Sequence, residues 1–420
     1  MSARVADDID NKRAFHFLEF RKLWYAGWMW YQARMMEIIT TSWLILDITG
    51  SQWDVAIVAL FRALPMGLLS LVSGAISDRF NRKTIMQVVQ IMNISSLILL
   101  IGLVYFEINN LIIISIVVMA LGVGWSLDFP ARRSSTADIV GSKNVSNAMF
   151  VDMAALTGSS VLGPLWSGLL INWKGAIAAY IFILLLVVIG TIILQFIRIP
   201  NPEKKIEKFK DLFISTKDTA IYMLKNRITR LVITVTIIAN VLFFPFIPMV
   251  PVFAETVLSV NPVLMGLLGA SFGLGNVIGS TYLGTFGKST KPIKLFIFGT
   301  TVGFLFLLTF SLLQIYWFCL LLLFFAGLAM TGFGSMQSAI TLMTVSPNIR
   351  GKALGVIGVA IGTAPLGLLI TGMVSGRFGI EVAITINCSV ALCILLCSIL
   401  FYRKELFLED SELISDQKLN

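Results

Sequence analysis

Apolar residues come in long unbroken runs along most of the chain, and the polar residues gather in short gaps between them. A helix needs about 20 mostly apolar residues to cross a bilayer. Scanning with that ruler predicts twelve spans, near 23–46, 54–77, 84–106, 111–130, 147–172, 175–197, 229–254, 263–285, 293–313, 316–344, 353–373 and 380–402. The runs are continuous rather than alternating, which excludes a closed barrel and leaves helices as the spanning element.

Composition agrees with that setting. With 57% hydrophobic and 13% charged residues and a mean hydropathy of +0.88, a soluble fold would lack polar surface. Cys319, Cys388, Cys393 and Cys397 all lie inside apolar runs, and His16 precedes the first run, so neither a disulfide frame, a metal site nor a cofactor is readable. Asp7, Asp8, Asp10, Lys12 and Arg13 precede that run without an apolar core of their own, and no cleaved signal peptide is expected.

The charges orient the chain. Of 32 lysines and arginines, Lys174 and Arg377 fall on the outer side if the amino terminus is inside, and Arg34 and Arg62 fall within spans. All the others lie in inner segments, so both termini are expected in the cytoplasm of a bacterial cell, with the chain in the inner (plasma) membrane. The net charge of +9 is then explained by topology and anionic membrane lipid, and no nucleic acid partner is needed.

A repeat divides the chain. "GAISDRFNRK" at 74–83 and "GSTYLGTFGK" at 279–288 both follow the second span of a half, and the fifth spans carry "GPLWSG" and "APLGLLITG". The expected fold is an all-α membrane protein of twelve transmembrane helices in two pseudo-symmetric six-helix bundles, 1–198 and 229–420, the second with a cytoplasmic tail. Between them, 199–228 reads as an amphipathic linker on the inner membrane surface, with Ile206, Phe209, Leu212 and Phe213 spaced for one helical face. A solvated tether is favoured over a regulatory element.

"GAISDRFNRK" resembles the loop signature of the major facilitator superfamily, a glycine and an Asp-Arg pair followed by basic residues. "FRKLWYAGWMW", "LDITGSQWDVAIVALFRALP", "SLDFPARRSS" and "SPNIRGKALGVIGVAIGTAPLG" are similar to its bacterial branch of enterobactin-type siderophore and macrolide exporters. The likeness covers residues 15 to 402. It implies two bundles rocking about a midplane site, with transport by alternating access.

Gly74 removes a side chain where the second span must turn or pack closely, and Asp78 suits an opposing helix N-terminus, whose dipole favours an anion. Arg79, Arg82 and Lys83 would sit at the headgroups. The resemblance implies that Gly74, Asp78, Arg79 and Arg82 form a conformational latch between the halves; anchoring of the turn is the alternative. Leu283 stands where the second copy would carry the acid. In the fifth span, Ser159, Gly163, Pro164 and Gly168 permit close helix approach and a kink. They resemble the family's antiporter motif, with serine at the first small position. The arginine usual in the fourth span of proton-driven members is absent from 111–124, so a proton is only a candidate coupling ion.

Charges inside the first two spans are the sharpest chemical signal. At 1.5 Å per residue, Arg34 lies about 17 Å, Glu37 about 21 Å and Arg62 about 18 Å above the inner boundary of a roughly 30 Å core. An unpaired charge at that depth costs roughly 2.5–3.5 kcal/mol or more, so the three are expected to meet. Pairing is expected to satisfy Arg34 and leave Arg62 free, with one surplus positive charge for a carboxylate, phosphate or phenolate. A salt bridge that only locks two helices is the alternative. Asn240, Gln337 and Asn387 are isolated polar groups in later spans, candidates for the same cavity or for local backbone bonding. Phe243, Phe244 and Met336 are candidates for its apolar wall. Asp128 and Asp152 are expected to pair with Arg132 and Arg133 near the inner ends of their spans.

The reading is a monomeric secondary transporter that moves an amphipathic, anionic small molecule out of the cell. A lysophospholipid translocator and a non-transporting membrane sensor are the alternatives. An enzyme is not expected, because no nucleophile or metal ligands converge in the spans.

Overall fold

A computed structural model describes residues 14–141, 143–199, 209–286, 291–346, 349–403 and 405–407, and every regular element among them is helical. The first half comprises α1 (Leu18–Thr49), α2 (Gln52–Arg79), α3 (Arg82–Tyr105), α4 (Leu111–Val140) and α5 (Val145–Gln195). Helix α6 (Phe209–Lys225) connects to α7 (Arg227–Ile238), a π-turn at Ala239–Phe243 and α8 (Phe246–Thr256). Then follow α9 (Pro262–Phe286), α10 (Pro292–Leu312), α11 (Tyr316–Thr344), α12 (Arg350–Ile361), α13 (Ala364–Phe378) and α14 (Ile380–Phe401).

Among the described residues, ten stretches are long and apolar enough to cross a membrane. α5 accounts for one more crossing. At 51 residues a straight helix would reach about 77 Å, more than twice the hydrocarbon thickness. It reverses instead at Lys174 and Gly175, where φ of 73° is open to glycine at no steric expense. The twelfth crossing is α1, 32 residues long but too polar to count by hydropathy, packed along α5. The twelve crossings form two six-helix bundles.

Polar residues in the gaps fix the turns. Asn110 accepts from the backbone N–H groups of Ile112 and Ile113, both at 3.1 Å, and starts α4. Asn226 does the same for α7 through Ile228 and Thr229. Faces are sorted for lipid rather than water. On α3, Val88, Ile91 and Ile98 are exposed while Gln90, Asn93 and Ser96 are buried.

Three predicted boundaries change. α4 continues ten residues past 130 as a helix, since a helix leaving the bilayer no longer needs apolar side chains. The seventh and eleventh crossings, expected as continuous runs, are each broken. Pro245 follows the π-turn, and Pro365 stands in the first turn of α13, each without the N–H that would extend the ladder. The two breaks pack together: a Cβ on Gly367 would lie 2.7 Å from Cγ of Pro245.

α6 lies in the expected linker and packs against α7 and α12, with Met223 buried. Ile206 and the side chains of Phe209, Leu212 and Phe213 fall outside the described residues, as do 1–13 and the tail from 408.

Candidate functional site

The bundles touch at one end and part at the other. α2 meets α13 where a Cβ on Gly376 would stand 3.0 Å from Cβ of Trp53 and one on Gly372 would stand 2.5 Å from Cβ of Ala56. α5 meets α9 where a Cβ on Gly266 would lie 2.5 Å from the Pro164 carbonyl oxygen and 3.1 Å from Cα of Gly168. Both seams lie far from the α2–α3 and α4–α5 turns. Toward those turns, at what is here the basic end, the bundles enclose a cavity of about 790 Å³.

Its wall is mainly apolar and aromatic, with Met35, Ile38, Trp125, Phe150, Phe244 and Met336. Phe243, expected beside Phe244, is fully buried in the core. At the cavity's deep end Arg34 faces both this space and a smaller pocket of about 190 Å³ that reaches Thr41 and Arg62.

Glu37 is taken by Arg62. The Arg62 Nε donates to Glu37 Oε2 at 2.5 Å, with side chains 11% and 4% exposed, and Thr41 Oγ1 donates to Oε1 at 3.1 Å. Tyr180 lies 2.8 Å from Thr41 Oγ1 and ties this group to the sixth crossing. This reverses the expected pairing, which gave Glu37 to Arg34. Helical side chains lean toward their own N-terminus, so Arg34 leans to the basic end, away from Glu37 one turn later. α2 runs the other way, and Arg62 leans toward Glu37.

Arg34 consequently has no carboxylate within ion-pair distance among the described residues. Its Cζ stands 3.8 Å from the Trp125 ring centroid, and its Nε is buried without a hydrogen-bond partner. Stacking of this kind contributes about 0.5–2 kcal/mol, less than the roughly 2.5–3.5 kcal/mol for a charge at bilayer depth. The balance favours an anion or water against Arg34.

Trp125 begins a ladder that the sequence reading missed. It stacks on Phe129, with ring centroids 4.9 Å apart, and Arg133 Cζ lies 4.4 Å from the Phe129 centroid. Positions 125, 129 and 133 repeat every four residues on one face of α4, a signal obscured when Arg133 is taken as a topology charge and an ion-pair partner for the nearby acids. Tyr31 holds the edge of Trp125 at 6.1 Å and donates to both oxygens of Asp152, at 3.2 and 3.0 Å. Asp152 therefore binds Tyr31 rather than Arg133. Asp128 pairs as expected: Arg132 donates from Nε at 2.8 Å and from Nη2 at 3.1 Å, and both side chains are buried.

The expected polar groups of the second half do not line the cavity. Asn240 donates to the Thr236 carbonyl at 2.9 Å, Gln337 to Thr236 Oγ1 at 2.8 Å and Asn387 to Thr371 Oγ1 at 2.8 Å. Without water, an amide in a bundle core takes the nearest hydroxyl or carbonyl, and these helices supply one. Asn276 on α9 faces the cavity instead.

On α5, Gly163 faces α1, where a Cβ would stand 2.5 Å from Cβ of Met35, while Pro164 and Gly168 face α9. Ser159 is buried and donates to the Ala155 carbonyl at 2.8 Å. The motif wedges α5 between the two bundles. Among the latch residues, Arg82 pairs with Asp138 on α4 and donates to the Ser77 carbonyl at 3.2 Å, a contact within one half. Arg79 is exposed, and the Asp78 side chain lies outside the described residues. Gly74 has open space where a Cβ would be, so of the two expected reasons for a glycine here, a turn or close packing, close packing is not made in this conformation, with the bundles parted at this end.

Two six-helix bundles around a cavity closed at one end define a multi-pass membrane transporter for a small-molecule substrate. The family model described as transmembrane secretion effector matches residues 14–420, and the chain belongs to that family, within the major facilitator superfamily. No curated protein matches the chain in sequence. Among solved structures, a bacterial homologue of the human lysosomal transporter Spinster, inward-facing and unoccupied, is 14% identical with a TM-score of 0.68, covering 95% of this chain and 97% of its own. The human organic anion transporter MFSD10 is 13% identical with a TM-score of 0.65 over 90% of this chain and 98% of its own. A POT family transporter in complex with 5-aminolevulinic acid is 12% identical with a TM-score of 0.71 over 92% and 96%. At these identities the likeness is one of fold.

Proposed function

We propose that the protein exports an amphipathic, anionic small molecule, of siderophore-like or drug-like size, from the cytoplasm across a bacterial inner membrane. The observation that carries this reading is Arg34, a cation without a carboxylate partner among the described residues, at the deep end of a mainly apolar and aromatic cavity. Its guanidinium takes the substrate's carboxylate, phosphate or phenolate, and the aromatic walls take the apolar body. The family's description as secretion effectors supports outward movement. The distribution of lysine and arginine supports a cytoplasmic basic end and cytoplasmic termini.

The two seams support an alternating-access reading. α2 with α13 and α5 with α9 close the outer end in this conformation, and outward release requires them to part while the Asp78 loop draws the inner ends together. A proton is the candidate coupling ion, with Glu37 as its carrier: protonation would release Arg62 and hand substrate a second cation.

Everted membrane vesicles test the whole reading. Vesicles containing the protein should accumulate a labelled catecholate siderophore or an aromatic carboxylate above protein-free vesicles, and Arg34→Gln vesicles should not. Equal accumulation with and without the protein across both probes would refute it.

A further inference from the structure

We infer a second anion-binding station at Arg133, nearer the cavity mouth, joined to Arg34 by the faces of Phe129 and Trp125; it rests on the anionic-substrate reading above. Arg133 lines the same cavity as Arg34. Its Nε is buried without a hydrogen-bond partner, and its one polar contact among the described residues is from Nη2 to the Met153 sulfur at 3.0 Å. A thioether is a weak acceptor and carries no charge. Asp152, the nearest acid on α5, is held by Tyr31, and Asp128 is held by Arg132.

Two guanidinium groups without carboxylate partners among the described residues thus stand on one wall, over rings four residues, or about 6 Å, apart along α4. Each lies over one ring of a stacked pair. The planar cation keeps its hydrogen-bonding edge free for a bidentate carboxylate or phosphate while its face rests on the ring. An aromatic anion entering from the basic end meets Arg133 first, passes the edges of Phe129 and Trp125, and delivers its charge to Arg34. The substrate class is therefore an anion bearing at least one aromatic or flat apolar group.

Stopped-flow fluorescence with purified protein in neutral detergent separates the two stations, using 1-pyrenebutyrate as the anionic probe and 1-pyrenebutanol as its neutral counterpart. Wild type should bind the carboxylate more tightly than the alcohol. Arg133→Gln should slow carboxylate association about tenfold, by loss of steering, and leave both its dissociation rate and alcohol binding unchanged. Arg133→Lys, which keeps the charge, should restore most of the association rate. Arg34→Gln should instead speed dissociation. An unchanged association rate in Arg133→Gln, with Arg34→Gln still impaired, overturns the mouth station and leaves the anion reading standing. Equal binding of the two probes by wild type, or no binding of either, overturns the anion reading and this inference with it.

Discussion

The Glu37 carboxylate and the Arg62 guanidinium meet at 2.5 Å across the α1–α2 interface, nearly sealed from solvent. Which arginine holds the acid decides the electrostatics of the site, because the other is left to face the cavity. Removing one member of such a buried pair strands its partner, typically at a loss of about 3–5 kcal/mol, whereas removing both can be near neutral.

Arg62→Ala should therefore lower the melting temperature in detergent, and the double variant Arg62→Ala with Glu37→Gln should recover most of the loss. A double variant no more stable than Arg62→Ala would show that the pair does not support the fold. Wild-type dependence of transport on an imposed pH gradient in Glu37→Gln would remove Glu37 as proton carrier.

Arg34 should behave oppositely. Arg34→Gln removes an uncompensated charge, so melting temperature should hold or rise while affinity for an anionic probe falls at least tenfold, about 1.4 kcal/mol. Arg34→Lys should keep partial binding, having the charge but neither the planar fork nor the stack on Trp125. Equilibrium titration of the pure variants checks both.

The Trp53 and Gly376 contact offers a lock. Their closeness at the outer seam is within reach of the 3.5–4.5 Å Cβ separation usual in disulfides after a small shift. In a background without the four native cysteines, Trp53→Cys with Gly376→Cys should form a cross-link under oxidation. Transport should then stop and return on reduction. Undiminished transport by the cross-linked protein would rule out separation of α2 from α13.

Asp78→Asn should reduce transport while expression and melting temperature stay near wild type, because a contact of the alternate conformation is lost and the fold seen here is kept. Transport assays beside thermal unfolding would detect the split. Unchanged transport would remove Asp78 from the latch.

Topology is checked by thiol labelling from outside the cell. Asn109→Cys, at the tip between α3 and α4, should be modified, and Lys143→Cys, between α4 and α5, should be spared. The reverse pattern would invert the orientation proposed here.

The sequence by itself determined the membrane setting, the number of crossings and the two halves, because the bilayer imposes a length and polarity rule that single residues report. It separated the two crossings within α5, at the break between the spans 147–172 and 175–197, while the caps at Asn110 and Asn226 emerged only with the structure. It also identified Arg34, Glu37 and Arg62 as one level of charge, because helical rise converts residue number into depth. Only the tertiary structure decided who pairs with whom. Glu37 goes to Arg62 because antiparallel helices lean their side chains in opposite directions, and Arg34 is left over Trp125. Asn240, Gln337 and Asn387 are spent on Thr236 and Thr371, neighbours fixed by helix rotation about its axis, an angle that apolar runs facing lipid and core alike do not encode. The ladder from Trp125 to Arg133 was hidden for a related reason. Its spacing was in the sequence, but a cavity lies between bundles, and which face borders it is set by how the two halves pack.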